Sequence, residues 1–369
     1  MNLRGGRFGP SALTVPTDLK NRSRIGRLSR TSKTHILVAG GAGFIGTNLC
    51  RAYLARGVRV TCVDNLSTGR LQNIKSLDKF DDFEFKQVDV CDRQALFNPF
   101  RNKSFDYVIN LASPASPPKY NKLGLETLMV GSVGVKNLLD IALRDGARFI
   151  QASTSEVYGD PKVAVQDESY WGNVNSYGPR SRYDESKRFA EALIYQYRED
   201  FNLSTGIVRI FNTYGPHMDP EDGRVISNFV TQALRGEPVT IYGDGSQTRS
   251  FGYIDDLVDG LIKLAGSDVE GPVNMGNPVE YTVKEVAEIV IRATESKSKI
   301  VYKPLPQDDP MQRRPDISLA KKYLRWQPKV NFENGLSKTI EYFRYEILPY
   351  QATESEHVKN KALQPAQTS

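Results

Sequence analysis

The feature that most constrains the fold is a glycine-rich turn, VAGGAGFIG at residues 38–46, between a short apolar run and a helical pattern. Its G-x-x-G-x-x-G spacing permits a tight turn, lets the backbone approach a pyrophosphate and lets the following helix pack closely on the strand. The first helical amides then face the phosphate charge. The turn predicts an α/β sheet that binds a dinucleotide through Gly40, Gly43, Phe44, Ile45 and Gly46.

Apolar runs of strand length alternate with helical patterns through the first 212 residues. Strands are expected at 35–40, 58–64, 83–90, 106–112, 147–154 and 205–212, and the longest helices at 123–144 and 183–199. This alternation predicts βαβ units, and hence a Rossmann-type doubly wound parallel sheet covered on both faces. After Asn212 the elements become shorter and glycine and proline more frequent, which predicts a smaller, interleaved α/β substrate-binding lobe.

These patterns divide the chain into predicted parts. A dinucleotide-binding domain is expected at 34–211, with 250–276 returning to it, and the substrate-binding lobe at 212–249 and 277–349. A polar tail is expected at 350–369. Residues 1–33 carry a basic tail without the apolar segment of a secretory signal; it is predicted to be disordered, with an organelle transit peptide as the alternative.

Charge and composition exclude several classes of function. The net charge is +6, but residues 1–33 contain six arginines, two lysines and one aspartate, so the rest of the chain carries −1. That body lacks the basic charge of a nucleic-acid-binding protein. No apolar run approaches the roughly 20 residues of a membrane span, so we expect a cytoplasmic protein. Three cysteines and three histidines lie without metal-ligand spacing, and no metal site is expected.

A tyrosine and a lysine lie four residues apart in YDESK, at Tyr183 and Lys187. This spacing places both side chains on one helical face. The ammonium is expected to lower the phenol pKa, so that the phenol can act as a base near neutral pH. Together with a dinucleotide-binding turn, the pair predicts removal of a proton from an alcohol while a nicotinamide takes the hydride.

Acidic residues at strand ends indicate which dinucleotide binds. Asp64 ends the second strand, where a carboxylate accepts hydrogen bonds from the adenosine ribose and favours NAD over NADP. Arg70 leaves room for NADP. Asp89 ends the third strand, where it could reach the adenine amine, or the segment could instead cap a helix near Asp92. The predicted cofactor site also includes Asn65, Val90, Leu111 and Ser113.

A polar cluster, Ser153-Thr154-Ser155-Glu156, ends the fifth predicted strand. In an open parallel sheet the carboxyl ends of the strands face the ligand crevice. Thr154 or Ser153 could therefore hydrogen-bond a substrate hydroxyl beside Tyr183, and Glu156 adds a carboxylate that a simple alcohol dehydrogenase does not need. The alternative is a turn or capping network, which the same residue types also build.

Longer sequence blocks resemble a known family. They are NLASPASPPKY at 110–120, STSEVYGDP at 153–161, YDESKR at 183–188, RIFNTYGP at 209–216, GDGSQTRSFGYIDDLVDG at 243–260 and DDPMQRRPDI at 308–317. With these blocks the chain resembles the extended short-chain dehydrogenases/reductases, and among them the UDP-glucuronate decarboxylases, from about residue 34 to 350.

The resemblance implies that UDP-glucuronate is converted to UDP-xylose through a 4-keto intermediate by tightly bound NAD. It implies that Tyr183 is the base, assisted by Lys187, and that Thr154 supports the C4 oxygen. Glu156 would act near C5 and Arg313 would orient the carboxylate. Further substrate contacts are implied for Tyr120, Ser155, Asn212, Arg224 and Arg249. It also implies a homodimer formed through the helices at 123–144 and 183–199.

Other readings stay open on the sequence. A decarboxylase that releases UDP-4-ketopentose, a UDP-sugar 4-epimerase or 4,6-dehydratase, and an inactive NAD-binding regulatory protein are the alternatives. The chain also departs from the family in two places. Met129-Val130-Gly131 stands where many relatives carry Lys-Thr-Asn, and His217 stands where many carry arginine. Either change could alter sugar preference.

Overall fold

The computed structural model describes residues 33–304 and 312–347. The predictions for residues 1–32 and for the tail at 350–369 lie outside this part of the chain. The strands are β1 His35–Ala39, β2 Arg59–Asp64, β3 Phe83–Gln87, β4 Tyr107–Asn110, β5 Arg148–Thr154, β6 Thr205–Ile210, β7 Thr213–Tyr214, β8 Val239–Tyr242, β9 Thr248–Ser250, β10 Gly252–Tyr253, β11 Pro272–Met275, β12 Glu280–Thr282, β13 Ile300–Lys303 and β14 Gln312–Arg313.

Helices separate most of these strands. They are α1 Phe44–Leu54, α2 Leu71–Lys75, α3 Arg93–Phe97, α4 Pro117–Lys122, α5 Gly124–Met129, α6 Val135–Asp145, α7 Ser181–Phe201, α8 Val225–Arg235, α9 Ile254–Ala265, α10 Val283–Thr294, α11 Ser318–Leu324 and α12 Phe332–Ile347. Short 3₁₀ turns occur at Asn98–Phe100 and Ser155–Tyr158. Among the described residues, no helix combines the length and the apolar character needed to cross a membrane.

Seven parallel strands form the central sheet, in the order β11-β6-β5-β4-β1-β2-β3. The Rossmann-type parallel sheet predicted from the sequence is therefore confirmed. Its edge strand β11 comes from residues 272–275, long after β6. Smaller sheets pair β7 with β10, β8 with β13, and β9 with both β12 and β14. The division into a cofactor domain and a substrate lobe stays a prediction.

Alternate residues of the central strands belong to two apolar clusters. In β1, Ile36 and Val38 pack in one cluster while Leu37 and Ala39 pack in the other. Successive side chains of a strand point to opposite faces of a sheet, so this division places one cluster on each face. The near-continuous apolar sequence of β1 follows from burial on both sides.

The helix predicted over residues 123–144 is interrupted in the structure. Val130–Gly134 is wound as a π-helix between α5 and α6. Gly131 lies so close to α7 that a Cβ there would sit 2.6 Å from Ser186 Cβ and 2.8 Å from the Ser186 carbonyl oxygen. Ser186 in turn donates a hydrogen bond to the Tyr183 carbonyl oxygen. The π-helical turn therefore packs directly on the turn of α7 that carries Tyr183 and Lys187.

Asp256 anchors the C-terminal segment to α9. Its carboxylate accepts hydrogen bonds from the backbone N–H groups of Lys329 and Val330, both at 3.0 Å. The indole of Trp326 donates to the Asp256 carbonyl oxygen at 2.8 Å. Since Asp256 and Trp326 are buried, losing a partner would leave a costly unsatisfied polar group at either residue. These contacts position the chain just before α12 begins at Phe332.

Replacing Gly131 by alanine should destabilise the protein, because the added methyl group overlaps Ser186. Overpacking of this kind costs about 1–3 kcal/mol, which corresponds to a fall of several degrees in the melting temperature. Gly271→Ala is the matched control, since a Cβ at Gly271 would meet nothing within 4 Å. Differential scanning fluorimetry of both variants checks this, and equal melting temperatures would contradict the tight contact.

Candidate active site

A cleft of about 820 Å³ opens at the carboxyl edge of the central sheet. It is lined by the glycine-rich turn, by the ends of β5 and β6, by the start of α7 and by residues from the smaller sheets. Most of the predicted site residues line it: Gly40, Gly43, Phe44, Ile45, Gly46, Leu111, Ser113, Tyr120, Thr154, Ser155, Glu156, Tyr183, Lys187, Asn212, Arg224, Arg249 and Arg313. The topology thus brings residues that lie far apart in the sequence to one place.

Four predicted cofactor residues do not line this cleft: Asp64, Asn65, Asp89 and Val90. Asp64 is buried, and its carboxylate accepts hydrogen bonds from the Ala42 N–H at 3.0 Å and the Leu66 N–H at 2.8 Å. Asn65 donates to the Asp89 carboxylate at 3.1 Å. Val90 is buried in the apolar cluster of the α6 face.

Asp89 and Asp92, in the segment that follows β3, make different hydrogen bonds. Asp92 caps α3 by accepting a hydrogen bond from the Ala95 N–H at 2.9 Å. Asp89 accepts from the Cys91 N–H at 2.8 Å and does not cap the helix. The capping function predicted for this segment therefore belongs to Asp92, and a contact of Asp89 with a cofactor stays a prediction.

The glycine-rich turn fits a dinucleotide pyrophosphate. Gly40 has a φ of +76°, which favours glycine. A Cβ at Gly46 would lie 2.2 Å from the Gly40 carbonyl oxygen, so only glycine allows α1 to start this close to the turn. The first residues of α1 line the cleft, and the N–H groups at the start of a helix attract anions. The residues present therefore fit the cofactor that the sequence predicts.

Tyr183 and Lys187 are both buried at the centre of the cleft. The Lys187 ammonium lies 5.6 Å from the centroid of the Tyr183 ring and donates a hydrogen bond to the Ala152 carbonyl oxygen at 3.1 Å. Burial lowers the pKa of Lys187 to about 8. Burial also raises the pKa of Tyr183 above its ordinary value, and its hydrogen bond with Thr154 acts in the opposite direction.

This differs from the expected lowering of the Tyr183 pKa by Lys187. Desolvation penalises the phenolate, and in this structure it outweighs both the hydrogen bond with Thr154 and the positive charge of Arg224. The Tyr120 ring covers the phenol, stacked 5.2 Å from it between centroids and tilted by 10°. The same stacking that excludes water from Tyr183 thus explains why its proton is held more tightly than expected.

Thr154, rather than Ser153, faces the phenol. The Thr154 hydroxyl hydrogen-bonds Tyr183 and accepts from the Glu156 N–H at 3.3 Å. The Ser153 hydroxyl donates to the Glu191 carboxylate at 2.5 Å instead. Adjacent residues of a strand point to opposite faces, so the two hydroxyls have different partners, although both residues line the cleft.

Glu156 lies between two arginines. Arg313 donates to its carboxylate at 2.9 Å, and Arg180 donates to the same oxygen. Burial alone would raise the pKa of Glu156, but the guanidiniums of Arg313 and Arg180 outweigh burial and hold this pKa well below its usual range. A third acid, Asp184, is buried beside them, and burial followed by repulsion from Glu156 raises its pKa.

Sequence reasoning missed Arg180. The signal was present, because Arg180 lies three residues before Tyr183, and residues at that spacing meet on a helical face. In the structure Arg180 precedes the first residue of α7 and lines the cleft. Its side chain is 19% exposed. The cleft therefore holds two guanidiniums beside one glutamate.

The remaining predicted substrate contacts surround this centre. Arg224 makes a bidentate contact with the Asp222 carboxylate, with donor–acceptor distances of 2.5 and 3.1 Å. Arg249 is buried and donates to the Thr248 carbonyl oxygen at 2.9 Å. The Asn212 carbonyl oxygen accepts from the Gly252 N–H at 2.8 Å, and Asn212 lines the cleft. Two arginines and an asparagine thus line this part of the cleft.

The two departures from the family pattern differ in position. His217 lines the cleft, and burial followed by repulsion from Arg51 lowers its pKa to about 4. It is neutral at physiological pH, so it does not replace the charge of an arginine. Met129 is 48% exposed and is absent from the residues that line the cleft. The change at 129–131 therefore acts on helix packing through Gly131.

Comparison with known proteins places these features in context. The model of the NAD dependent epimerase/dehydratase family matches residues 36–276. UDP-glucuronic acid decarboxylase 1 of Danio rerio is 46% identical over 335 residues, which cover 91% of this chain and 78% of that protein. UDP-glucuronic acid decarboxylase 4 of Arabidopsis thaliana is 44% identical over 349 residues, which cover 95% of this chain and 75% of that protein.

Solved structures share the fold at lower identity. The UDP-glucuronic acid 4-epimerase of Bacillus cereus, in complex with UDP-glucuronic acid and NAD, has a TM-score of 0.75 and 27% identity, and the match covers 85% of this chain and all (100%) of that chain. The UDP-glucose 4-epimerase of Thermus thermophilus, in complex with NAD, has a TM-score of 0.74 and 29% identity, covering 84% of this chain and 99% of that one.

Replacing Glu156 by glutamine should destabilise the protein at neutral pH, because the buried Arg313 and the partly buried Arg180 lose their shared counter-charge. Breaking a buried ion pair in this way costs about 3 kcal/mol. Since the folded-state pKa of Glu156 is depressed, its stabilisation exists above the unfolded pKa and disappears as pH falls through the folded value. Urea denaturation at pH 7 and below pH 4 measures this. Glu288→Gln, on the exposed face of α10, is the control; similar losses for both variants at pH 7 would contradict the ion cluster.

Proposed function

The chain belongs to the NAD dependent epimerase/dehydratase family, and we propose that it is a decarboxylase that converts UDP-glucuronate to UDP-xylose. The relatives that are about 45% identical over most of the chain support this activity. The observation that carries it is the cluster of Glu156, Arg180 and Arg313 beside Tyr183. A neutral sugar has no group that needs two guanidiniums at this place, whereas a uronic acid brings a carboxylate to C5.

NAD is the cofactor that the cleft fits. Bound NAD⁺ would supply the oxidation at C4 of the sugar and the matching reduction at the end of the cycle, so the reaction has no net redox change. The N–H groups that follow the glycine-rich turn would bind the pyrophosphate. Asp64 would accept hydrogen bonds from the adenosine ribose through the lone pairs that Ala42 and Leu66 leave available. Asn65, Asp89 and Val90 would lie near the adenine.

Tyr183 would accept the proton of the C4 hydroxyl while Thr154 supports the same oxygen. The phenolate needs positive charge nearby, because burial disfavours it. Lys187 and Arg224 both supply that charge. The pKa of Lys187, about 8, lies close to neutrality, so this side chain can also exchange protons during the cycle.

Oxidation at C4 makes the sugar a β-keto acid. Its C5 carboxylate then leaves as CO₂, and the electrons of the broken bond move into the C4 carbonyl to give an enolate. Arg313 and Arg180 would orient the carboxylate before it leaves. Glu156, held next to both arginines, would act near C5 when the enolate is protonated. Preorganised charges of this kind cost little reorganisation during the reaction.

The UDP group would be held by the outer part of the cleft. Arg224 and Arg249 would bind the diphosphate, for which the fork of guanidinium donors is well suited. Asn212 would hydrogen-bond the nucleotide. Ser155 and Tyr120 lie on the sugar side, next to Tyr183. The neutral His217 would make a contact without charge.

Incubation of the purified protein with UDP-glucuronate and NAD⁺ tests the activity, with the product analysed by mass spectrometry and proton NMR. We expect a product lighter by CO₂, with the spectrum of a pentopyranose, and no accumulation of NADH. In Tyr183→Phe this turnover should fall by a factor of about 100 or more, because the phenol is the proton acceptor.

The control for that variant is Tyr195→Phe, a 57% exposed position on the same helix, which should keep wild-type turnover. A 4-ketopentose together with stoichiometric NADH would show that the final reduction does not occur. A product of unchanged mass and inverted C4 configuration would show a 4-epimerase, the activity named for the Bacillus cereus neighbour. Unchanged turnover in Tyr183→Phe would remove Tyr183 from the mechanism.

We also propose that two copies of the chain associate through α5 and α7. Leu125 is 77% exposed, Leu128 40%, Met129 48% and Phe189 52%. The first three lie on one side of α5, which packs against α7, so these side chains form a shared apolar face. Faces of this kind on a soluble protein mark interaction sites.

The apolar face predicts a dimer in sedimentation velocity. The double variant Leu125→Glu/Phe189→Glu should sediment as a monomer, because two buried charges per subunit would be left without partners. Tyr323→Glu changes a residue of similar exposure, 55%, on α11, and should stay dimeric. A wild-type monomer, or an unchanged dimer in the double variant, would show that this face does not mediate association.

A further inference from the structure

The C-terminal helix reaches back to the loop that follows Asp64. Arg70, on this loop, lines the cleft next to the glycine-rich turn, and its backbone N–H donates to the Ala42 carbonyl oxygen at 3.0 Å. Its guanidinium donates to Glu346 of α12 at 2.7 Å. The side chain of Gln72 donates to the other Glu346 oxygen at 3.0 Å. Residues 276 positions apart thus meet at the cofactor end of the cleft.

Glu346 accepts hydrogen bonds from both Arg70 and Gln72. Its side chain is only 5% exposed, and Arg70 is 28% exposed, so the pair is screened less than a surface salt bridge. Tyr342, one turn earlier in α12, hydrogen-bonds Glu346 and packs on the His217 ring at 5.0 Å between centroids. Because His217 is neutral at physiological pH, Arg70 supplies the counter-charge that Glu346 needs.

A second connection closes the same end of the cleft. The Asn73 side chain donates to the Ala42 carbonyl oxygen at 3.1 Å and to the His217 carbonyl oxygen at 3.4 Å. The Asn48 side chain donates to the Pro216 carbonyl oxygen at 3.0 Å. These contacts tie together the glycine-rich turn, α1, the segment from Arg70 to Asn73, residues 216–217 and α12.

One donor in this cluster has no partner. The Nη1 atom of Arg70 is buried and makes no hydrogen bond, although its other terminal nitrogen binds Glu346. A buried guanidinium donor without an acceptor has lost its hydration without gaining a hydrogen bond in exchange. Because Arg70 lines the cleft beside the predicted pyrophosphate site, an oxygen of the bound dinucleotide would satisfy this donor.

We propose that Arg70 and Glu346 form a clasp that retains the dinucleotide: Glu346 positions Arg70, and Arg70 contacts the bound cofactor. The inference rests on the proposed function in one respect. A decarboxylase that returns electrons to C4 must keep its reduced cofactor until the last step, and an early loss would release the 4-keto sugar. The clasp would then set the ratio of UDP-xylose to UDP-4-ketopentose.

Cofactor retention by Glu346→Gln tests the clasp. The protein purified with its dinucleotide is diluted, and the release of NAD is followed over time by assay of the filtrate. Loss of the charge frees Arg70, so we expect release about tenfold faster or more, the effect of losing one charge-assisted contact. Glu341→Gln, an exposed residue five positions earlier on α12, should release NAD at the wild-type rate.

A double-mutant cycle separates positioning from general destabilisation. If Glu346 acts through Arg70, then Arg70→Gln and Arg70→Gln/Glu346→Gln should release NAD at the same rate, whereas independent destabilisation by each change would give additive effects. Wild-type release from Glu346→Gln would overturn the proposal, as would additive effects in the double variant.

The ratio of UDP-xylose to UDP-4-ketopentose tests whether cofactor retention affects the reaction. With UDP-glucuronate, Glu346→Gln should release more UDP-4-ketopentose and NADH per UDP-xylose than wild type. The experiments distinguish failure of the clasp from failure of the proposed activity. If Glu346→Gln releases NAD faster but no variant and no wild-type protein decarboxylates UDP-glucuronate, the clasp is supported and the decarboxylase activity is contradicted. If Glu346→Gln decarboxylates normally, with the wild-type rate of NAD release and the wild-type product ratio, only the clasp is contradicted.

Discussion

The Glu156 carboxylate is the point on which the site depends, because it joins three separate stretches of the chain. It follows β5, it accepts a hydrogen bond from Arg180 before α7, and it accepts another from Arg313 of β14. The smaller sheet that contains β14 is thereby held over the carboxyl edge of the central sheet. These three charged side chains also line the cleft, so the packing and the electrostatics of this site rest on one arrangement.

Burial shapes the chemistry at the centre of the cleft. Stacking by Tyr120 and the position of Lys187 under β5 remove water from the phenol and the ammonium. Desolvation moves the pKa of Lys187 down and the pKa of Tyr183 up, so the two pKa values move apart, and the hydrogen bond with Thr154 and the charge of Arg224 oppose the rise at Tyr183. An enzyme gains from this arrangement because charges that develop in a dry site interact strongly.

The sequence was sufficient for the sheet and for the family, and the reasons are local. Three features depend only on residues close in sequence: the glycine-rich turn, the apolar strands buried on both faces and the Tyr183–Lys187 spacing. Patterns of this kind can be recognised from the sequence alone. The π-helical turn at Val130–Gly134 was not predictable, since it depends on how closely Gly131 approaches Ser186. The pairs of Arg180 with Glu156 and of Arg70 with Glu346 were missed for a related reason: each requires tertiary contacts between distant residues.

The order of strands in the central sheet determines when this site can exist during synthesis. Strand β11 pairs with β6, although more than 60 residues separate β6, which ends at Ile210, from β11, which begins at Pro272. Arg313 and Glu346 come later still. Contacts of such long sequence separation form late, because a large loop must close before they stabilise the chain. A nascent chain would therefore hold the glycine-rich turn and the Tyr183–Lys187 pair well before it could close the cleft around a ligand, so cofactor capture belongs to the last stage of folding.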